Sequence, residues 1–252
     1  MMSLVPLLKA CLNGARRPGE HPALPVTPVQ LAADVARVVA EGAGAVHLHV
    51  KDADGVDTLL PAGLTAVLTA VRTAAPGVPV GVTTGAWAEP DPDARVALIG
   101  AWTVLPDFAS VNWHEAGAER VAAALLDRGV GVEAGLWHAE AVRAWLASPL
   151  RRRSLRVLVE LPGDARAAED ADELLALLGI DDLGRTSEGI PVLLHGEDRS
   201  AWPVLRLAAR RGLATRIGLE DALELPDGSP APGNAALVRA AREVLGSPGL
   251  ER

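Results

Sequence analysis

The chain has 252 residues, 49% apolar and 22% charged, which excludes a disordered chain and fits one sizeable globular unit. With 24 basic against 32 acidic residues the net charge is −8, so no nucleic-acid partner is expected. A single cysteine, Cys11, excludes an intramolecular disulfide and a cysteine-based zinc cluster.

In chain order, the Met-Met-Ser-Leu start has neither the basic n-region nor the long apolar h-region of a signal peptide, so the cytoplasm is the expected compartment. The first strand-like run is Val5–Leu12. Thr27 then caps a helix with Pro28 at its first position, an apolar stripe through Leu31, Val35, Val38 and Val39, and an end at Glu41-Gly42. Three strand–helix pairs follow: Ala45–Val50 with Leu64–Ala74, Val78–Thr83 with Ala94–Trp102, and Phe108–Asn112 with Ala118–Leu126. Four more complete the series: Val130–Ala134 with Ala139–Trp145, Leu155–Glu160 with Ala168–Leu178, Pro191–His195 with Ala201–Arg210, and Ala214–Gly218 with Gly233–Leu245. None of the apolar runs approaches the ~20 residues of a spanning helix, so no membrane association is expected. Near-continuous runs of this length suit parallel strands buried on both faces. Eight such pairs predict an α/β fold, a (β/α)8 TIM barrel forming a single domain over 1–252. A doubly wound open sheet is the alternative, weakened because no G-x-G-x-x-G or G-x-x-x-x-G-K-[ST] follows a strand.

Barrel chemistry belongs at the C-terminal ends of the strands. The second strand ends His47-Leu48-His49-Val50-Lys51, and alternation sets His47, His49 and Lys51 on one face. Two imidazoles at i, i+2 suit one metal ion, and they equally suit a hydrogen-bonded inward pair. The eighth strand ends Arg216-Ile217-Gly218-Leu219-Glu220-Asp221. In a closed barrel only the first strand separates it from the second, so Glu220 can complete a His-His-Glu set with an open position. A helix cap or solvated loop is the plainer reading of Glu220-Asp221. Other polar strand ends are Thr83-Thr84-Gly85, Ser110-Val111-Asn112, Glu133 and His195-Gly196-Glu197-Asp198. Glu133, between Val132 and Ala134, is either catalytic or the buried partner of an arginine. Gly85 offers a place where substrate approaches the backbone closely. His21, His114 and His138 receive no role, and Trp87 and Trp113 are expected at an interface or in the pocket.

The combination resembles the β-keto acid cleavage enzyme family across nearly the whole chain. The residues that carry the likeness are Asn13-Gly14, Pro25-Val26-Thr27-Pro28, His47 to Asp52, Thr83-Thr84-Gly85, Val132 to Trp137 and Arg216 to Asp221. The resemblance implies a zinc-dependent barrel, usually a homotetramer, that condenses a β-keto acid with acetyl-CoA and cleaves the adduct to acetoacetate and a new acyl-CoA. It implies His47, His49 and Glu220 as metal ligands, Asp221 as the base held by Arg216, and Glu133 as a supporting acid. Thr83 and Ser110 are implied as hydrogen-bonding partners of substrate, with Asn13, Arg16, Thr84, Gly85 and Asn112 as further binding residues. The sequence departs from the family at three places. Asn13-Gly14-Ala15-Arg16-Arg17 brings arginine where a glutamate is frequent, which favours a neutral or anionic substrate tail over a cationic one. Lys51 stands where arginine is common, keeping the charge without bidentate geometry. The tail after the last helix is brief, so any role of a longer tail in subunit contact or in covering CoA is expected to be missing.

Two other readings compete. Another metal-dependent lyase or hydrolase on the same barrel would turn over without acetyl-CoA. A non-catalytic metabolite-binding barrel would have no use for five polar groups at one strand-end mouth.

Overall fold

The computed structural model describes residues 7–163 and 166–246. Eight strands alternate with eight α-helices among them: β1 Leu8–Cys11, α1 Pro28–Ala40, β2 Ala45–Leu48, α2 Pro61–Ala74, β3 Val80–Thr83 and α3 Pro92–Ala101. The series continues with β4 Phe108–Asn112, α4 Ala118–Asp127, β5 Gly131–Leu136, α5 Ala139–Ala147, β6 Ser154–Leu161 and α6 Ala167–Leu178. It ends with β7 Val192–Gly196, α7 Ala201–Arg210, β8 Thr215–Ile217 and α8 Asn234–Gly246.

All neighbouring strands pair in parallel in the order β7-β6-β5-β4-β3-β2-β1-β8. A parallel bridge between Leu193 and Ala214, with the Leu194 amide donating to Ala214 O, brings β7 against β8 and closes the ring. The result is the TIM barrel, not the open sheet. No helix of the described residues is long and apolar enough to cross a membrane.

Each strand is apolar toward the helices. Leu8 and Ala10 of β1, Val46 and Leu48 of β2, and Val157 and Val159 of β6 join helix residues such as Leu31, Val35, Leu68 and Val121 in one buried core. The capping expected for α1 is present in full: Thr27 accepts from Gln30 N while the Gln30 side chain accepts from Thr27 N.

Most boundaries fall within two residues of the sequence reading; α2 begins three residues earlier, at Pro61, whose fixed φ suits the first helical position. In the first run, Val5 and Pro6 lie outside the described residues. The second strand ends at Leu48, short of Val50, because the His49 amide donates to the Asn13 side chain and leaves the ladder. The break frees His49 from the sheet at the barrel mouth. At the other side, Gly218 ends β8 where a Cβ would lie 1.8 Å from Cys11 O, so only glycine lets β8 turn this tightly over β1.

Candidate active site

His47 and Cys11 are register partners across β1 and β2, and Lys9 pairs in register with Arg216 of β8. These pairings bring the ends of β2 and β8 together over β1. His47 Nε2 and His49 Nε2 lie 4.0 and 3.9 Å from the same oxygen, Glu220 Oε2. Together the three residues present ligand atoms all within 4.8 Å of one another. Gly14, with φ +54°, makes room for the glutamate: a Cβ there would stand 2.5 Å from Glu220 Cγ.

The donor chemistry of this triad fits a divalent cation. Glu220 Oε2 is buried and makes no hydrogen bond. Burial would raise the Glu220 pKa, but Arg216 and His49 more than offset it and hold the carboxyl below its usual value. Burial, reinforced by Lys9 and His49, pushes His47 well below the usual histidine range, so it stands as neutral imidazole with a lone pair to give. His49 Nδ1 lies 2.6 Å from Asp57 Oδ2, which orients the ring and leaves Nε2 facing Glu220.

Asp57, which sequence reasoning did not single out, is the centre of a buried group. It also accepts from Lys51 Nζ at 2.5 Å and from Trp87 Nε1 at 2.8 Å, and the Trp87 indole stacks on His49 at 5.9 Å. Burial alone would raise its pKa, and the His49 and Lys51 contacts bring it below the usual value. Lys51 thus shares the histidine face as expected but is spent on Asp57 and Gly14 O.

A cavity of about 350 Å³ opens over the triad. Arg16, Thr83, Ser110, Asn112 and Arg216 line it. Thr83 and Ser110 are cross-strand neighbours, so their hydroxyls sit side by side. Arg16 does not face the cavity freely, since its guanidinium bonds Leu219 O, Glu220 O and, at 3.0 Å, Asp198.

Arg216 holds Asp221 by two hydrogen bonds of 3.1 and 2.7 Å and reaches Glu220 Oε1 at 3.0 Å. Asp221 is fully buried and is not part of the cavity wall, while its Oδ2 has no partner. Burial pushes its carboxyl well above the usual range, with Arg216 working the other way.

Besides Asp221, four expected site residues stand elsewhere than in the cavity wall. Asn13 braces β2, accepting from His49 N and donating to His49 O and Pro25 O. Thr84 donates to Ser110 O. Gly85 is covered by the Trp87 ring, 2.3 Å from where a Cβ would sit, so an indole makes use of the space the missing side chain leaves. Glu133 is fully buried below the cavity, 2.6 Å from Lys9 Nζ and 3.1 Å from Arg156 Nε, so its surroundings are those of a buried ion cluster. Its register partner is Arg156, and a bulge between Val132 and Glu133 sets that pairing. Of the two tryptophans, Trp87 lines the cavity and is 45% exposed, whereas Trp113 is buried in the core.

Glu160 of β6 and Glu197 after β7 also line the cavity and share a hydrogen bond, with Glu197 3.8 Å from Arg216. Burial and the Glu160 charge push Glu197 up to about 8, and burial raises Glu160 as well. His195, in register with Glu160, lies 3.2 Å from its Oε2 and 3.8 Å from Asp221 Oδ1, and burial keeps it neutral. The sequence names these residues only as polar strand ends.

An eight-stranded barrel with a buried His-His-Glu set beside an Arg–Asp pair at its mouth defines a TIM-barrel protein with a candidate metal centre. Residues 7–251 match the β-keto acid cleavage enzyme family, and the chain belongs to that family. Among curated proteins none matches this sequence. Of solved structures, it is similar to apo ObcA, with TM-score 0.69 and 18% identity over 88% of this chain and 61% of that one. A ternary complex of ObcA with a C4-CoA adduct and oxalate gives TM-score 0.69 and 17% identity, covering 89% of this chain and 64% of that one. A binary complex of ObcA with oxaloacetate gives TM-score 0.68 and 18% identity, covering 88% and 63%. At these identities the likeness is one of fold, and the chain spans 61–64% of the length of the ObcA chains.

Proposed function

We propose that the protein is a zinc-dependent β-keto acid cleavage enzyme that condenses a β-keto acid with acetyl-CoA and releases acetoacetate and a new acyl-CoA. The observation that carries this reading is the convergence of His47, His49 and Glu220 on one point at the barrel mouth. Membership of the family supports it, and so do the oxaloacetate and CoA-adduct complexes of ObcA.

His47, His49 and Glu220 would hold the ion, which supplies a Lewis acid for the keto carbonyl. Asp57 keeps the His49 ring aimed. By family likeness Asp221, behind the cavity wall on Arg216, would be the base that takes the α-proton, and Arg216, bonded to it at 2.7 Å, favours the ionised form that role requires against the effect of burial. The α-carbon then bonds to the acetyl carbonyl and the CoA thiolate leaves. That thiolate attacks the former keto carbon, the bond between it and the α-carbon breaks, and the proton returns from Asp221 to give acetoacetate. Thr83 and Ser110 offer hydroxyls to the oxygens of substrate and adduct. Glu133 acts at a distance, by fixing Lys9 and Arg156 beneath the cavity.

Glu160 and Glu197 on the cavity wall weigh against an anionic substrate tail. With Arg16 bound to Asp198, the wall suits a neutral tail that hydrogen-bonds. A homotetramer belongs to the same reading, by family likeness.

The test is a panel of β-keto acids incubated with acetyl-CoA carrying ¹³C in its acetyl group. The label is expected in acetoacetate and absent from the new thioester, with turnover lost in Asp221→Asn. Keto acid consumed equally well without acetyl-CoA would assign the barrel to a lyase or hydrolase instead.

A further inference from the structure

We infer that a second cavity, beside the barrel mouth, seats the phosphate-bearing arm of coenzyme A, with Arg199 and Arg206 as its phosphate-binding residues. The inference rests on the acetyl-CoA dependence proposed above and adds the site where the far end of that molecule lies.

The cavity has a volume of about 540 Å³. One wall is the segment that follows β7, from Asp198 into α7, and the other is the loop 222–228 that follows β8. Loops after the seventh and eighth strands are where barrels most often bind phosphate. Asp198 lines both this cavity and the one over the triad, so the two adjoin at that residue. A thioester held at the triad has its pantetheine arm leaving the mouth, and the Asp198 side leads into the second cavity.

The chemistry of the second cavity suits a phosphate more than a carboxylate-rich or neutral partner. Arg199, in the turn before α7, and Arg206, on α7, both line it, and neither makes a hydrogen bond or ion pair among the described residues. The arginines of the first cavity are all committed: Arg16 to Asp198 and two carbonyls, Arg216 to Asp221 and Glu220. Two guanidinium forks left open over one hollow form a bidentate receptor for phosphate oxygens. The carboxylates nearby do not neutralise them. Asp198 is paired with Arg16 at 3.0 Å, and Glu224 lies exposed at the rim.

Most of the remaining lining is apolar. Trp202 donates its indole N–H to Glu224 O at 2.8 Å, tying α7 to the loop after β8, and Pro203 and Leu223 stand beside it. Apolar side chains beside two unpaired arginines suit a ligand that carries phosphates on an apolar body.

Calorimetry on the zinc-loaded protein tests this without turnover. CoA, 3′-dephospho-CoA and pantetheine are titrated into wild type, Arg199→Gln and Arg206→Gln. Wild type is expected to bind CoA more tightly than 3′-dephospho-CoA, and both far more tightly than pantetheine. Each variant should lose about tenfold in CoA affinity while binding pantetheine as wild type does. In turnover, KM for acetyl-CoA should rise with kcat unchanged. If both variants bind CoA like wild type, this site is wrong while the acetyl-CoA dependence stands. If wild type binds no CoA at all, the acetyl-CoA reading and this site fall together. Equal loss of CoA and pantetheine in a variant would also overturn the site, because the phosphates would not be what the arginines read.

Discussion

His49 Nδ1 lies 2.6 Å from the carboxylate of Asp57, and the same Asp57 oxygen accepts the indole N–H of Trp87, whose ring stacks on His49. The imidazole is therefore held by a bond at one nitrogen and a ring on one face, which fixes the direction of the other nitrogen. Asp57→Ala should weaken divalent-metal affinity about 10- to 100-fold and leave the fold intact. A competition titration against a chelating dye reads this, and unchanged affinity would mean that the ring needs no such support.

Gly218 carries a different constraint. A methyl group at this position meets the Cys11 carbonyl at 1.8 Å, and β8 must move to admit it. Gly218→Ala should destabilise the protein by about 1–3 kcal/mol or more in urea unfolding. It should also weaken metal binding, since Glu220 follows two residues later. Wild-type stability with wild-type metal affinity would show that the tight turn positions nothing.

The Glu160–Glu197 pair gives the metal-free protein a signature in pH. Glu197 is pushed up to about 8 in the folded state, mainly by burial and by Glu160, from the ordinary glutamate value near 4.5. Between those values the folded chain holds a proton that the unfolded chain has released. Stability from this group is present in full below about pH 4.5 and is lost as pH rises toward 8. Melting temperatures of wild type and Glu197→Gln, followed with a chelator present, should therefore diverge in the variant's favour as pH climbs through that window. Parallel curves would contradict the shared proton.

The barrel was legible because its strands are dense Val and Leu runs set about a helix apart, and His47 and His49 were legible because strand alternation puts i and i+2 on one face. Glu220 joined them through ring closure, an argument about topology and not spacing. Asp57 was beyond reach, since it sits in a loop whose path over the mouth no local pattern specifies, and Trp87 was legible only as an interface or pocket residue, not as a partner of Asp57 and His49. Glu133 illustrates the limit most clearly. A lone carboxylate in an apolar strand signals a buried partner or a catalytic acid with equal force, and only the register with Arg156 and the facing Lys9 define its surroundings. At Gly85 the sequence reveals the missing Cβ but not that an indole lies over it. The acidic wall of Glu160 and Glu197 was hidden because the two lie on different strands and read separately as ordinary strand ends.

The central claim is that His47, His49 and Glu220 hold one divalent metal at the barrel mouth. The direct measurement is metal content per chain by elemental mass spectrometry, for wild type, His47→Ala and Glu220→Gln purified side by side. About one zinc per chain in wild type, lost in His47→Ala and strongly reduced in Glu220→Gln, is the expected result. No bound metal in wild type, even after zinc is supplied, or full retention in both variants, would contradict it.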